Sequence, residues 1–298
     1  MRRISSLIST AILVHIAGCA AFNYVEPDSP IASIQVNAHS PPPKIALVLG
    51  RGGPRGYAHI GVMKTLEEAH IEYDLVVGSS VGSLINEFWA AGFTINEIDK
   101  LARNGGPLTL FDISLFADRG WIRGQRLQDY VNNRLGNQSI ENLKRRLIVV
   151  ATRRKDKVPV YFQTGNVGVA VRASGAVPTI ISPVGINGVE YEDADESLPV
   201  AVRVARQAGA QFIIAVDVTA QPGSAPTGTS PKMLLRDAKR RARIDPEVAY
   251  ADFLIHPNLD YAAGPNRSYF VKAQKVGEET ARTLLPQLKQ ALATAFRQ

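Results

Sequence analysis

Ser80 stands in Gly78-Ser79-Ser80-Val81-Gly82, at the end of an apolar run over residues 75–77 and ahead of a helix-forming stretch over 84–91. Strand, sharp turn and helix in that order push one hydroxyl clear of the backbone. They also set it at a helix N-terminus, where peptide N–H groups favour negative charge. Gly78 and Gly82 suit such an elbow because a Cβ at either position would meet the adjoining elements. Taken alone, the pentapeptide fits a glycine-rich turn around a buried serine equally well. Its chemistry, if it has one, is nucleophilic: a hydroxyl attacking an ester carbonyl needs a base for its proton and donors for the oxyanion.

The donors have an obvious source. Gly50-Arg51-Gly52-Gly53-Pro54-Arg55-Gly56 follows the apolar run 45–49 and opens a helical pattern over 57–69. Consecutive glycines there let backbone N–H groups point into a site. Pro54 has no N–H, so the expected donors are the amides of Gly52, Gly53 and Arg55. Glycine loops at helix starts also cradle phosphates, but no Gly-Lys-Ser/Thr follows and the third glycine of the dinucleotide pattern is missing.

The base is less obvious. Of five histidines, His15 and His39 lie in the N-terminal segment, His70 ends a helical pattern, and His59 reads as a buried structural histidine. His256 follows a short strand pattern. The order Ser80, Asp193, His256 is the one α/β-hydrolases use, so a triad is one reading. Spacing opposes it: those enzymes separate the glycine loop and the elbow by several elements, whereas here the elbow ends the very next strand.

The elements that must hold these residues alternate. Apolar strand patterns at 45–49 and 74–77, each followed by a helix, predict a parallel sheet covered on both faces. Further strands are expected at 147–151, 158–163, 212–216 and 252–255. A hairpin is expected over 185–191, turning at Asn187-Gly188. Helices are expected at 124–135, 166–174, 200–208, 233–243 and, after Gly277, 278–296. Residues 104–121 have no clear period and mix polar with aromatic side chains, which suits a lid or substrate wall. The 298 residues are 45% hydrophobic and 20% charged, enough for a full core.

The N-terminus carries Arg2 and Arg3, an apolar core over residues 7–16 and then Ala17-Gly18-Cys19. This reads as a secretory signal, too short to span a membrane, with small residues before the chain's one cysteine. It resembles a bacterial lipobox, which implies a lipidated Cys19, removal of residues 1–18, and a lipoprotein at the periplasmic face of the outer membrane. Cleavage would take the formal charge from +7 to +5, a mild excess suited to an anionic membrane. Residues 19–43, with Pro41-Pro42-Pro43, are expected to be an extended tether, and residues 44–298 the folded domain. The basic residues are scattered without aromatic partners, which argues against nucleic acid.

Several motifs in a fixed order carry a family resemblance. Leu49-Gly50-Arg51-Gly52-Gly53-Pro54-Arg55-Gly56, Ala58-His59-Ile60-Gly61-Val62 and Val77-Gly78-Ser79-Ser80-Val81-Gly82 resemble the patatin-like phospholipases. So do Val171-Arg172-Ala173-Ser174, Tyr191-Glu192-Asp193, Gly209-Ala210 and Ile214-Ala215-Val216-Asp217-Val218. The resemblance implies an α/β/α fold with a mainly parallel sheet and hydrolysis of lipid acyl esters without metal or cofactor. It also implies a Ser80–Asp193 dyad in place of a triad. Departures accompany it. Arg51 replaces a usual glycine, and Ala194-Asp195 replaces Gly-Gly/Ala after the aspartate. A glycine at 194 with positive φ would make Ala194 strained, and with it a fold kept as a non-catalytic binding module becomes an alternative. Asp195 is expected to be a solvated surface acid, with a rival base or a carboxylate neighbour of Asp193 as the other readings.

Overall fold

The structure, a computed structural model, describes residues 23–105, 107–115 and 117–297. Residues 1–22, and with them the expected signal and Cys19, lie outside these. The strands are β1 (Asn23–Tyr24), β2 (Ala32–Ser33), β3 (Ile45–Leu49), β4 (Leu75–Ser79), β5 (Arg146–Arg153), β6 (Val158–Phe162), β7 (Val184–Ile186), β8 (Val189–Glu192), β9 (Phe212–Val216) and β10 (Phe253–Ile255). The helices are α1 (Tyr57–Glu68), α2 (Val81–Ala90), α3 (Ile95–Asn104), α4 (Pro107–Leu110), α5 (Gln125–Leu135), α6 (Val167–Ser174), α7 (Val202–Gln207), α8 (Pro231–Val248) and α9 (Arg267–Ala295).

One sheet in the order β1-β7-β8-β5-β4-β3-β9-β10 runs through the molecule, with β6 on β5 and β2 on β6. Strands β5, β4, β3, β9 and β10 are parallel. Both faces are buried, so alternate side chains of one strand enter different cores: Leu47 and Leu49 join one, Ala46 and Val48 the other. This double burial is why the strands read as continuous apolar runs. The α/β layering expected from the sequence is present.

The register on β5 does the positioning. Val150 pairs with Ser79 of β4 on one edge and with Tyr161 of β6 on the other. Thr152 pairs with Pro159 of β6 and, on the edge β4 uses, with Glu192 of β8. β4 therefore runs up this edge, parallel to β5, and β8 runs down it, antiparallel. One further residue on each ladder brings Ser80 and Asp193 to the same partner, Ala151. Residues 113 apart in sequence are thus aimed at each other by backbone pairing alone.

Two expectations change. The proline-rich segment 23–43 is extended but docked. β1 and β2 join sheet edges, His39 N donates to the Ala208 carbonyl and Arg146 Nη1 to that of Pro41. Strands of two residues are too short to leave a period in sequence. The C-terminal helix begins at Arg267, where the Asn266 side chain caps it. Gly277 is a contact point inside it: a Cβ there would lie 2.2 Å from the Ala58 carbonyl of α1.

Candidate active site

Ser80 connects β4 to α2 with φ 56° and ψ −123°, a left-side conformation that is costly for a residue with a Cβ. The turn is tight enough that a Cβ on Gly82 would lie 2.1 Å from the Leu49 carbonyl, and one on Gly78 2.4 Å from Ser83 Cα. Ser80 N donates to Ser174 Oγ (2.9 Å), and Ser83 Oγ donates to the Ser80 carbonyl (2.6 Å). These bonds hold the strained residue from both sides.

Ser80 Oγ donates to Asp193 Oδ2 at 2.7 Å. Asp193 is 1% exposed and Ser80 9%. The other carboxylate oxygen accepts from Asp195 N (2.7 Å). The Asp193 backbone is pinned by Ala176, whose carbonyl accepts its N–H (2.9 Å), and by Thr152 Oγ1, which donates to its carbonyl (2.8 Å). Burial pushes the Asp193 carboxyl up to about 6, and the neighbouring Arg51 restrains the rise. An ordinary aspartate is thereby made a better proton acceptor near neutral pH.

The departures around Asp193 resolve differently from expectation. Ala194 is buried and is not among the residues with positive φ, so no glycine is required there. Asp195 is not a solvated acid. Arg240 grips it with Nε–Oδ1 2.9 Å and Nη2–Oδ2 2.7 Å, and Arg51 Nη2 lies 3.2 Å from the same carboxylate. Burial alone would raise the Asp195 carboxyl, but Arg240 and Arg51 outweigh it and hold it below the usual range.

Two of the three amides expected as donors in the glycine loop differ from the third in their bonding. The amides of Gly52 and Gly53 have no acceptor among the described residues. The Arg55 amide instead closes a tight turn on the Gly52 carbonyl at 3.1 Å, because the loop coils into a 3-10 turn before α1. His59 steadies the loop: its Nε2 lies 2.8 Å from the Gly50 carbonyl, and burial lowers it to about 4, leaving it neutral. His256 does not join Ser80. Its Nε2 meets the Thr219 carbonyl (3.0 Å) and lies 3.7 Å from Asp217.

Ser80 and Gly53 face an almost wholly apolar cavity of about 280 Å³. Leu84 and Phe88 of α2, Leu101 of α3, Leu127 of α5 and Phe270 of α9 line it. Leu110 and Phe111 line it too, so part of the segment without sequence period forms a wall of this cavity. Around that wall Ile113, Leu115 and Trp121 are exposed. The sequence reading missed Thr152, Ser174 and Ala176. Ser174 stood in a motif it quoted, but only the fold gives it a partner.

Residues 47–201 match the family model described as patatin-like phospholipase. An uncharacterized NTE family protein of Mycobacterium tuberculosis is 31% identical over 218 residues, 71% of this chain and 59% of its own length. Lysophospholipase nte1 of Aspergillus fumigatus is 31% identical over 179 residues, 58% of this chain and 12% of its own length. The chain thus spans 59% or less of these curated relatives. The crystal structure of VipD from Legionella pneumophila shares the fold, with a TM-score of 0.59 at 15% identity over 88% of this chain and 71% of that one. Elbow, glycine loop, sheet and matched sequence agree: the chain belongs to the patatin-like phospholipase family.

Proposed function

We propose that this protein is a serine acyl hydrolase that cleaves lipid acyl esters through a Ser80–Asp193 dyad. The observation that carries the reading is the 2.7 Å bond from Ser80 Oγ to a buried carboxylate, at the floor of an apolar cavity. In the proposed cycle an acyl chain occupies that cavity and its ester carbonyl meets Ser80. As the hydroxyl attacks, its proton passes to Asp193 Oδ2, and the amides of Gly52 and Gly53 receive the oxyanion. Collapse of the tetrahedral species expels the alcohol, which takes the proton back from Asp193. Water activated by Asp193 then releases the fatty acid and restores Ser80.

The Aspergillus relative's name makes single-chain phospholipids the favoured substrate class. A lipidated Cys19 is part of the same proposal. It would hold the enzyme at the periplasmic face of a bacterial outer membrane, beside its substrate.

A fluorophosphonate probe tests the reading. The wild type is expected to label and to hydrolyse lysophospholipid, and folded Ser80→Ala to do neither. A folded wild type that neither labels nor turns over ester would favour the non-catalytic module.

A further inference from the structure

Behind the glycine loop lies a second cavity, of about 390 Å³. Arg51 and Arg55 of the loop line it, with Arg236, Arg240 and Arg241 of α8 and with Tyr261. Four carboxylates answer these five guanidinium groups: Asp237 on the wall, and Asp195, Asp217 and Asp245 as ion-pair partners. A positive charge is left over. The pairing is also incomplete. Among the described residues Arg55 has no carboxylate partner, and it donates to the carbonyls of Asp260 (3.1 Å) and Tyr261. A planar fork of N–H groups is the usual receptor for a phosphate.

The cavity's place decides what it would hold. Gly53, Pro54 and Gly56 line the apolar cavity, while Arg51 and Arg55 line the basic one. One short loop therefore divides the two, and the expected oxyanion donors sit in it. A molecule whose acyl chain fills the first cavity would bring its ester to the loop. In a glycerophospholipid a phosphate follows that ester after a few bonds.

We infer that the arginine-lined cavity between the glycine loop and α8 is a binding site for the phosphodiester of a phospholipid headgroup. The inference rests on the hydrolase reading and deepens it by placing the phosphate of its favoured substrate class. Three of the five arginines lie on α8, outside the residues 47–201 that match the family model.

The test compares kcat/KM for lysophosphatidylglycerol with that for a monoacylglycerol of the same acyl chain. Wild type, Arg241→Gln and Arg236→Glu are measured. Arg236 is well exposed and bears little on folding, so it keeps the test sound if Arg241→Gln does not fold. Wild type is expected to prefer the phosphorylated substrate, and either variant to lower that preference about tenfold, as loss of a charge-assisted hydrogen bond does. A preference unchanged in both folded variants overturns the site. Inorganic phosphate separates the sources of the anion. Competition against lysophosphatidylglycerol alone supports a headgroup site, whereas equal action on both substrates assigns a free-anion site and overturns the headgroup. If neither ester is turned over and Ser80 does not label, the hydrolase reading has failed instead. Calorimetry with inorganic phosphate then judges the cavity alone: heat in wild type and none in Arg236→Glu supports it, and no heat in wild type overturns it.

Discussion

Asp193→Asn separates what the dyad needs from what the fold needs. In the folded protein burial lifts the carboxyl from 3.8 to about 6. The native state therefore binds the proton more tightly than the unfolded chain does. Between these two pH values the native form holds more protons, so stability falls as pH rises, and above about 6 the loss is complete. Converted to free energy, the ionised carboxylate costs the fold about 3 kcal/mol at pH 8 and almost nothing near pH 4. Asparagine has the same shape and no charge. Its oxygen can accept from Asp195 N and its amide can donate to Ser80 Oγ, so both hydrogen bonds survive in reversed sense at the serine.

Asp193→Asn is accordingly expected to abolish ester hydrolysis and to stabilise the protein by up to about 3 kcal/mol at pH 8, with the gain vanishing toward pH 4. Urea unfolding at pH 4, 6 and 8 measures the difference directly. The companion measurement is the pH profile of wild-type kcat/KM, which should rise through an acid limb near pH 6 as Asp193 loses its proton. A folded Asp193→Asn with wild-type turnover would refute the dyad. A variant less stable than wild type by the same amount at every pH would refute the electrostatic account of Asp193.

Three further outcomes follow from particular geometries. Ser80→Gly and Ser80→Ala both lose the hydroxyl, but only glycine accepts φ 56°, so thermal unfolding should find Ser80→Gly more stable by about 1 kcal/mol. Ala194→Gly should bring no gain in kcat/KM and lose about 1–2 kcal/mol, because the alanine is unstrained and its methyl is buried. Glu87 on α2 is fully buried, its carboxylate oxygens lack partners among the described residues, and burial raises it well above the ordinary range. The native state thus binds that proton more tightly than the unfolded chain does. Glu87→Gln should match wild type in urea unfolding at pH 4 and exceed it increasingly as pH rises.

What the sequence could reveal about this site depended on distance along the chain. Ser80, Gly78 and Gly82 are legible because strand, turn and helix are neighbours, and their close contacts are with residues a few positions away or on the adjoining strand. The Gly52 and Gly53 amides are legible for the same reason. Arg55 is not, since a 3-10 turn and an open loop share one sequence. Asp193 was named from chain order as a member of a triad, and as the direct partner of Ser80 only through family resemblance. Its meeting with Ser80 is a matter of register: β4 and β8 approach along one edge of β5 from opposite directions, and nothing local to residues 189–193 announces a partner at Ser80. Ser174, Thr152 and Ala176 were hidden for the same cause.

The departures at 51 and 195 make the point most sharply. Read singly, each threatens Asp193: an arginine in the glycine loop would pull its proton off too readily, and a second carboxylate would hold it on. In the structure they pair with each other, with Arg240 closing the group, and they act on Asp193 in opposite senses. Arg51 has the stronger influence of the two, so the pair as a whole restrains a rise that burial drives. The basicity of Asp193 is therefore set first by burial and moderated by Arg51, with the Asp195 charge acting the other way. Arg240 extends that arrangement to α8, where the same helix lines the basic cavity. The departures at 51 and 195 thus join the carboxylate's environment to a charged surface just behind the glycine loop. This relation joins Arg51 to Asp195, 144 positions apart, and Asp195 to Arg240, 45 apart, and only the folded chain brings them together.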